Sequence, residues 1–304
     1  MTEISEESAP RAKEPNRLAL YDALKCLAAF GVIMFHAGVA HKDVWLSGMF
    51  LFLFFLGYHA ATGRASYVYV NGRFRRLIIP WIFWCAVYWA LYAVRGEAWM
   101  PFDPIEWSRI LVGTNVHLWF LPFAFGACVL LACVNHLWAW TPARVFGALV
   151  MVFVLCGAML FVFDPKVPIS QWLFSLPVCW LGFLAAQLKG AGTKTVTALM
   201  VLGFAIACIA FALWEMPGAL QTAIAVPFCW LALFVKVPNS EWLTYVGLRT
   251  MGIYLIHPAV NAALFLVVPG LSHSPDLVIG MSIFVVSLIL VSLMWRLPVL
   301  RSVA

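Results

Sequence analysis

The sequence predicts an all-α integral membrane protein, a bundle of about ten transmembrane helices with both termini in the cytoplasm. Three observations predict it. Hydrophobic residues make up 64% of the 304 and charged residues only 11%, against about 45–50% and about 25% in soluble domains. The apolar residues fall in long unbroken runs, not in the alternating stretches of about 10 residues that a β-barrel needs. The basic residues gather on one side of those runs, as the positive-inside rule requires of a polytopic protein.

The elements follow in order. Residues 1–17 are polar, with Glu3, Glu6, Glu7, Glu14, Pro10 and Pro15, and read as a disordered cytoplasmic tail. Apolar segments then occupy 18–39, 44–62, 77–94, 117–137, 145–163, 171–188, 195–214, 219–236, 249–269 and 277–297. Each is close to the roughly 20 residues a helix needs to cross about 30 Å of hydrocarbon. Helices satisfy their own backbone, which lipid demands. The first run is not read as a cleaved signal peptide, because its leader is acidic and Asp22 and Lys25 interrupt it. Residues 18–304 read as a single transmembrane domain.

Ten crossings put both ends of the chain on one side. That side carries Arg11, Lys13, Arg17, Arg64, Arg73, Arg75, Arg76, Arg144, Lys189, Lys194, Lys236, Arg249, Arg296 and Arg301, whereas the other carries Lys42, Arg95, Arg109 and Lys166. The richer side is therefore the cytoplasm. The largest exported loop is 95–116, and Trp45, Trp99, Trp107, Trp138, Trp140, Trp172, Trp214 and Trp242 lie near segment ends as interfacial anchors do. The net charge of +6 is spent on this topology, so no nucleic-acid partner is read from it. All eight cysteines lie inside apolar runs without a C-x-x-C pair and read as buried apolar side chains.

Ionisable groups in the first segment carry the chemical signal. Each costs about 2.5–3.5 kcal/mol at mid-membrane on insertion scales, so it persists only if paired, hydrated or used. Asp22 and Lys25 are three apart and pair on one helix face. Lys25 and His36 are eleven apart, about three turns, which places them on a shared stripe about 16 Å apart along the axis. The cation would hold an anionic group of a cytosolic donor, or it is a lysine snorkelling near the helix end. The imidazole would act as a general base, or it is a satisfied buried histidine.

Other constellations are weaker. Arg64, Arg73, Arg75 and Arg76 lie in a segment, 63–76, that reads as a cytoplasmic loop made flexible by Gly72. They suit phosphates, and equally lipid headgroups and topology. His117 and Trp119, at the exported end of the fourth segment, frame an acceptor entrance or belong to an aromatic belt. Tyr254 and His257 share a face in the ninth, just before Pro258, which frees a backbone carbonyl for His257 or a neighbour to satisfy. His59 reads as structural, and His41, His136 and His273 as loop or interface residues. No metal site is expected, since H-E-x-x-H and paired carboxylate–His spacings are missing. P-loop, G-x-G-x-x-G and G-x-S-x-G patterns are missing too.

Taken in order, these residues resemble acyltransferase family 3. A basic residue ten positions before a histidine in the first helix, with an acid ahead of it, is similar to that family's R-x10-H signature. Phe54-Phe55 to Tyr58, Arg73-x-Arg75-Arg76 leading to Pro80, His117-Leu-Trp-Phe-Leu and Tyr254-Leu-Ile-His257-Pro258 continue the likeness over about residues 20–260. Lys25 stands where the family usually has Arg, keeping the charge and giving up the bidentate fork. Leu56 stands where it usually has Ser. The resemblance implies a multi-pass O-acyltransferase of the cell inner membrane, moving an acyl group, usually acetyl, from cytosolic acyl-CoA to a hydroxyl of a cell-envelope glycan or lipid-linked saccharide. Acetyl-CoA or another acyl-CoA would be a substrate, with no permanently bound cofactor. His36 would be catalytic, as base or acyl relay, with Lys25 and Asp22 beside it. Arg73, Arg75, Arg76 and Lys25 would meet the donor's phosphates, and His117, Trp119, Tyr254 and His257 the acceptor. No SGNH-type domain follows in the sequence, so the chain would complete the transfer or pass the group to a partner. The rival reading is a proton-coupled secondary transporter, in which Asp22, Lys25, His36 and His257 relay protons. Paired broken helices in repeated halves, which would favour it, are not seen.

Overall fold

The computed structural model describes residues 19–63, 65–97, 110–137, 139–238 and 240–304. The expected tail, Arg64, Trp99, Trp107, Arg109, Trp138 and most of the 95–116 loop lie outside the described residues. Among those described, all regular structure is helical. The helices are α1 (Ala19–His36), α2 (Lys42–Trp45), α3 (Ser47–Ala60), α4 (Tyr67–Val94), α5 (Phe120–Leu137), α6 (Pro142–Phe163), α7 (Ile169–Gln187), α8 (Thr193–Trp214), α9 (Ala219–Phe234), α10 (Glu241–Gly247), α11 (Thr250–Val267), α12 (Asp276–Met294) and α13 (Pro298–Arg301). A single 3₁₀ turn, Val116–Trp119, leads into α5.

Every expected apolar segment contains a helix, and among the described residues eight helical stretches, with α2 and α3 taken together and the 3₁₀ turn taken with α5, are long and apolar enough to cross a membrane. The other two expected crossings are α1, which carries Asp22 and Lys25, and α9. At 16 residues, α9 is about 24 Å long, short of the about 30 Å core. The second segment is broken at Leu46 into α2 and α3.

From Tyr67 onward the segment 63–76 is helix and not loop. Ser66 Oγ accepts from the Tyr69 amide at 3.2 Å and caps a helix that starts at Tyr67 and runs to Val94. This cap satisfies an otherwise orphaned N–H. Arginine is a good helix former, so Arg73, Arg75 and Arg76 are fixed on helical faces, and Gly72 is a helix residue.

The core is an aromatic and aliphatic layer centred on α3, with Phe50, Leu53, Phe54 and Phe55 buried against α5, α7 and α9. The closest crossing is α3 on α7. A Cβ added at Gly57 would overlap the Cys179 carbonyl, and one at Gly182 would overlap the Phe54 carbonyl. In lipid, such small-residue contacts let backbones approach and supply the packing that the hydrophobic effect does not. α1 lies against α3, α10, α11 and α12, so its polar stripe faces protein and is kept from lipid. All eight cysteines are free thiols.

This crossing predicts a specific sensitivity. Gly182→Leu should abolish the folded, detergent-stable protein, because backbone blocks the added side chain and overpacking even of softer sites costs about 1–3 kcal/mol. Gly126→Ala, at a position where a Cβ meets nothing, should leave the thermal unfolding midpoint at or above the native value.

Candidate active site

The stripe on α1 begins with a buried ion pair. Asp22 is fully buried, and its Oδ1 lies 2.6 Å from Lys25 Nζ. Thr244 Oγ1 donates to its second oxygen at 3.3 Å. Lys25 Nζ also donates to the Gly247 carbonyl at 2.9 Å. A Cβ on Gly247 would sit 2.8 Å from Asp22 Oδ1, so α10 reaches this pair only because its last residue has no side chain. An ammonium has three donors. Two are held by protein here, the ammonium also lies 4.8 Å over the Tyr21 ring, and Lys25 lines the adjoining cavity.

That cavity measures about 330 Å³ and is lined by Lys25, His59 and Arg73 together with Tyr21, Phe55, Leu77, Phe120, Met251 and Tyr254. Its polar residues come from the start of α1, the end of α3 and the start of α4, which lie together at one end of the bundle. Phe120 and Tyr254 also line it. The Tyr21 ring stands between His59 and Lys25, 5.1 Å from the His59 ring and 4.8 Å from Lys25 Nζ. The Arg73 guanidinium lies 5.0 Å over the Tyr69 ring. Arg75 and Arg76 are exposed on α4 and do not line the cavity.

Behind Tyr254 lie three histidines. The His36 ring is 5.0 Å from that of His257 and 6.1 Å from that of His117, and the last two are 5.5 Å apart. His117 and His257 are buried at 2% and 1% exposure, whereas His36 is partly exposed. His36 is thus the member of the cluster open to an incoming molecule. The Tyr254 ring is 5.6 Å from His117 and 6.0 Å from His257, and its hydroxyl donates to the His117 carbonyl. Tyr254 therefore forms a shared wall between cavity and cluster.

Pro258 explains how α11 holds this arrangement. It has no N–H, so the carbonyl four residues earlier, that of Tyr254, loses its helical partner. His257 Nδ1 takes that carbonyl at 2.7 Å. The next carbonyl, Leu255, accepts from Tyr88 Oη at 2.8 Å and faces His117 Nε2 at 3.3 Å. His117 Nδ1 meets Asn115 Oδ1 at 2.9 Å, and Asn115 Nδ2 donates to Tyr92 Oη at 3.2 Å. The expected rescue of a freed carbonyl by His257 is what the structure contains. Trp119 is not brought to the cluster. Its ring packs 5.9 Å from Phe123 and 6.4 Å from Phe174.

With this geometry in place, the comparisons with known proteins become specific. A family model described as an acyltransferase domain (Acyl_transf_3) matches residues 18–296. The chain belongs to this acyltransferase family. Its long apolar helices make it a multi-pass membrane protein. It is also 30% identical over 185 residues to the nodulation protein NolL of Sinorhizobium fredii, a match covering 57% of this chain and 47% of that protein. The chain thus spans about half the length of this curated relative. No solved structure matches it.

Several residues of this candidate site escape a reading of the sequence. His59 passed as structural yet lines the cavity. Tyr88 and Asn115 carry no local signal, since only the packing of α4 and the 3₁₀ turn against α11 gives them partners. Thr244 and Gly247 lie more than 200 residues from Asp22 and Lys25. The one signal available was the cost of leaving Asp22 and Lys25 buried with each other alone.

Pro258→Ala returns an N–H to the Tyr254 carbonyl and competes with His257 for it. Losing one such preorganising bond is worth about 1 kcal/mol, so acyl transfer should fall about five- to tenfold, while the unfolding midpoint holds or rises.

Proposed function

We propose that this chain is an O-acyltransferase of the cell inner membrane. In this reading it takes an acyl group, acetyl or another short one, from cytosolic acyl-CoA. It delivers the group to a hydroxyl of a cell-envelope glycan or lipid-linked saccharide. The observation that carries the reading is the pairing along α1 of a cation-lined cavity with a histidine cluster, separated by the Tyr254 wall. The charge distribution orients the bundle with both termini and the cavity's cationic end toward the cytoplasm.

Lys25 and Arg73 meet the donor's phosphates, with His59 beside them. Arg75 and Arg76 attract the donor from the surface. The extended pantetheine arm has the reach for the about 16 Å from Lys25 to His36, and a cavity of this size falls within the about 300–1,000 Å³ of ligand pockets. Asp22 holds Lys25 in place. His36 is the reacting imidazole: it attacks the thioester, carries the acyl group as a relay and releases it to the acceptor. His117, Tyr254 and His257 shape the acceptor side, and Trp119 supports it from the neighbouring aromatic layer. The domain runs from residue 18 to 304, after a cytoplasmic tail.

Mass spectrometry of envelope glycans and glycolipids tests the reaction class. Cells with the native chain should carry an acyl-sized mass increment that is lost in a deletion strain and with His36→Ala, although His36→Ala remains folded and inserted. A product retained with His36→Ala would overturn the central role of His36. Lys25→Met should raise the apparent KM for acetyl-CoA ten- to a hundredfold, matching about 1.5–3 kcal/mol for a hydrogen bond to a charged group. Lys25→Arg should restore most of it.

A further inference from the structure

The unused nitrogen of His257 has a defined chemical state. A carbonyl oxygen can only accept, so the 2.7 Å contact with the Tyr254 carbonyl makes Nδ1 the protonated nitrogen. In the neutral ring Nε2 then carries a lone pair. It is buried and, among the described residues, has no hydrogen-bond partner. One turn further along the same face, the Oδ1 of Asn261 is likewise a buried acceptor without a partner. Buried polar atoms are seldom left unpaired, and those that are need a reason. Here two acceptors lie on one face of α11, and His36, the partly exposed member of the histidine cluster, has its ring 5.0 Å from that of His257.

We propose that His257 Nε2 is the base that accepts the proton of the acceptor hydroxyl, with Asn261 Oδ1 taking a second hydrogen bond from the same molecule. The inference rests on the relay role of His36 and divides the reaction between two imidazoles. In the first half, a His36 ring nitrogen attacks the thioester carbon and the C–S bond breaks. The proton of the other His36 nitrogen leaves with the sulfur as free CoA thiol, and a neutral acyl-imidazole remains. In the second half, the hydroxyl gives its proton to His257 Nε2 while its oxygen attacks the acyl carbon. The C–N bond breaks and its electron pair returns to His36. His257 then passes the proton to His36, and both rings are neutral again. No other reactant is needed.

Two readouts in membranes holding the full chain separate the halves. Exchange of labelled CoA into acetyl-CoA reports the first half and needs no acceptor. Acyl content of the envelope, by mass spectrometry, reports the whole reaction. His257→Asn keeps a donor for the Tyr254 carbonyl and deletes Nε2. His257→Gln offers an oxygen that accepts a hydrogen bond and cannot take a proton. The expected result is exchange within twofold of native for both variants, with product reduced at least a hundredfold for both. Exchange lost in parallel with product would overturn the proposal, since His257 would then serve the donor half or the fold. So would native product levels in either variant. Native membranes without exchange would instead show that the relay reading of His36 fails, and this division of labour with it.

Discussion

The missing N–H of Pro258 is the constraint on which the centre of this bundle depends. In hydrocarbon an unpaired carbonyl costs several kcal/mol, so the carbonyl that Pro258 frees in α11 must find another donor. His257 takes the Tyr254 carbonyl, and Tyr88 takes the Leu255 carbonyl, which His117 also faces. α4 and the 3₁₀ turn before α5 are thereby tied to α11. One buried histidine, His257, is oriented by this backbone defect and a second, His117, by the carbonyl beside it, next to a third at the end of α1 that is partly exposed. The cluster is thus a consequence of a proline in a membrane helix as much as of the histidines themselves.

The other end of α1 obeys the same logic with charges. Breaking a buried pair by removing one partner costs about 3–5 kcal/mol, which makes Asp22 and Lys25 interdependent. Thr244 and the Gly247 carbonyl bring α10 into the arrangement. The pair is therefore a fixed cation at the cavity wall. A protein that chiefly needed stability would gain more from apolar residues there. What the pair provides is a positive charge held in one place, about 16 Å from His36 along α1, with the Tyr254 wall between the cavity and the histidines.

The helices were legible because run length and apolarity are local properties. Each of the ten apolar segments contains a helix, and the pairing of Asp22 with Lys25 followed from their spacing. The start of α4 was misread because three arginines and a glycine resemble a loop, while the capping signal that marks the helix is one serine hydroxyl on one amide. α9 is shorter than its apolar run because the backbone turns extended at Val235. In the site, His36 and His257 stood out by being costly to bury, and Pro258 announced a freed carbonyl. Trp119 shared a short segment with His117, yet the turn sends its ring into the aromatic layer. His59, Tyr88 and Asn261 gain their meaning only from neighbours far away in the chain, which no spacing rule reaches.

The most direct test of this account is a cryo-EM structure of the chain in lipid nanodiscs with a non-hydrolysable thioether analogue of acetyl-CoA. The account predicts phosphates beside Lys25, Arg73 and His59, the pantetheine arm in the cavity past Tyr254, and the acyl carbon about 3–3.5 Å from a His36 ring nitrogen, as attack requires. An analogue bound outside this cavity, or with its acyl end on the far side of Tyr254 from His36, would contradict it.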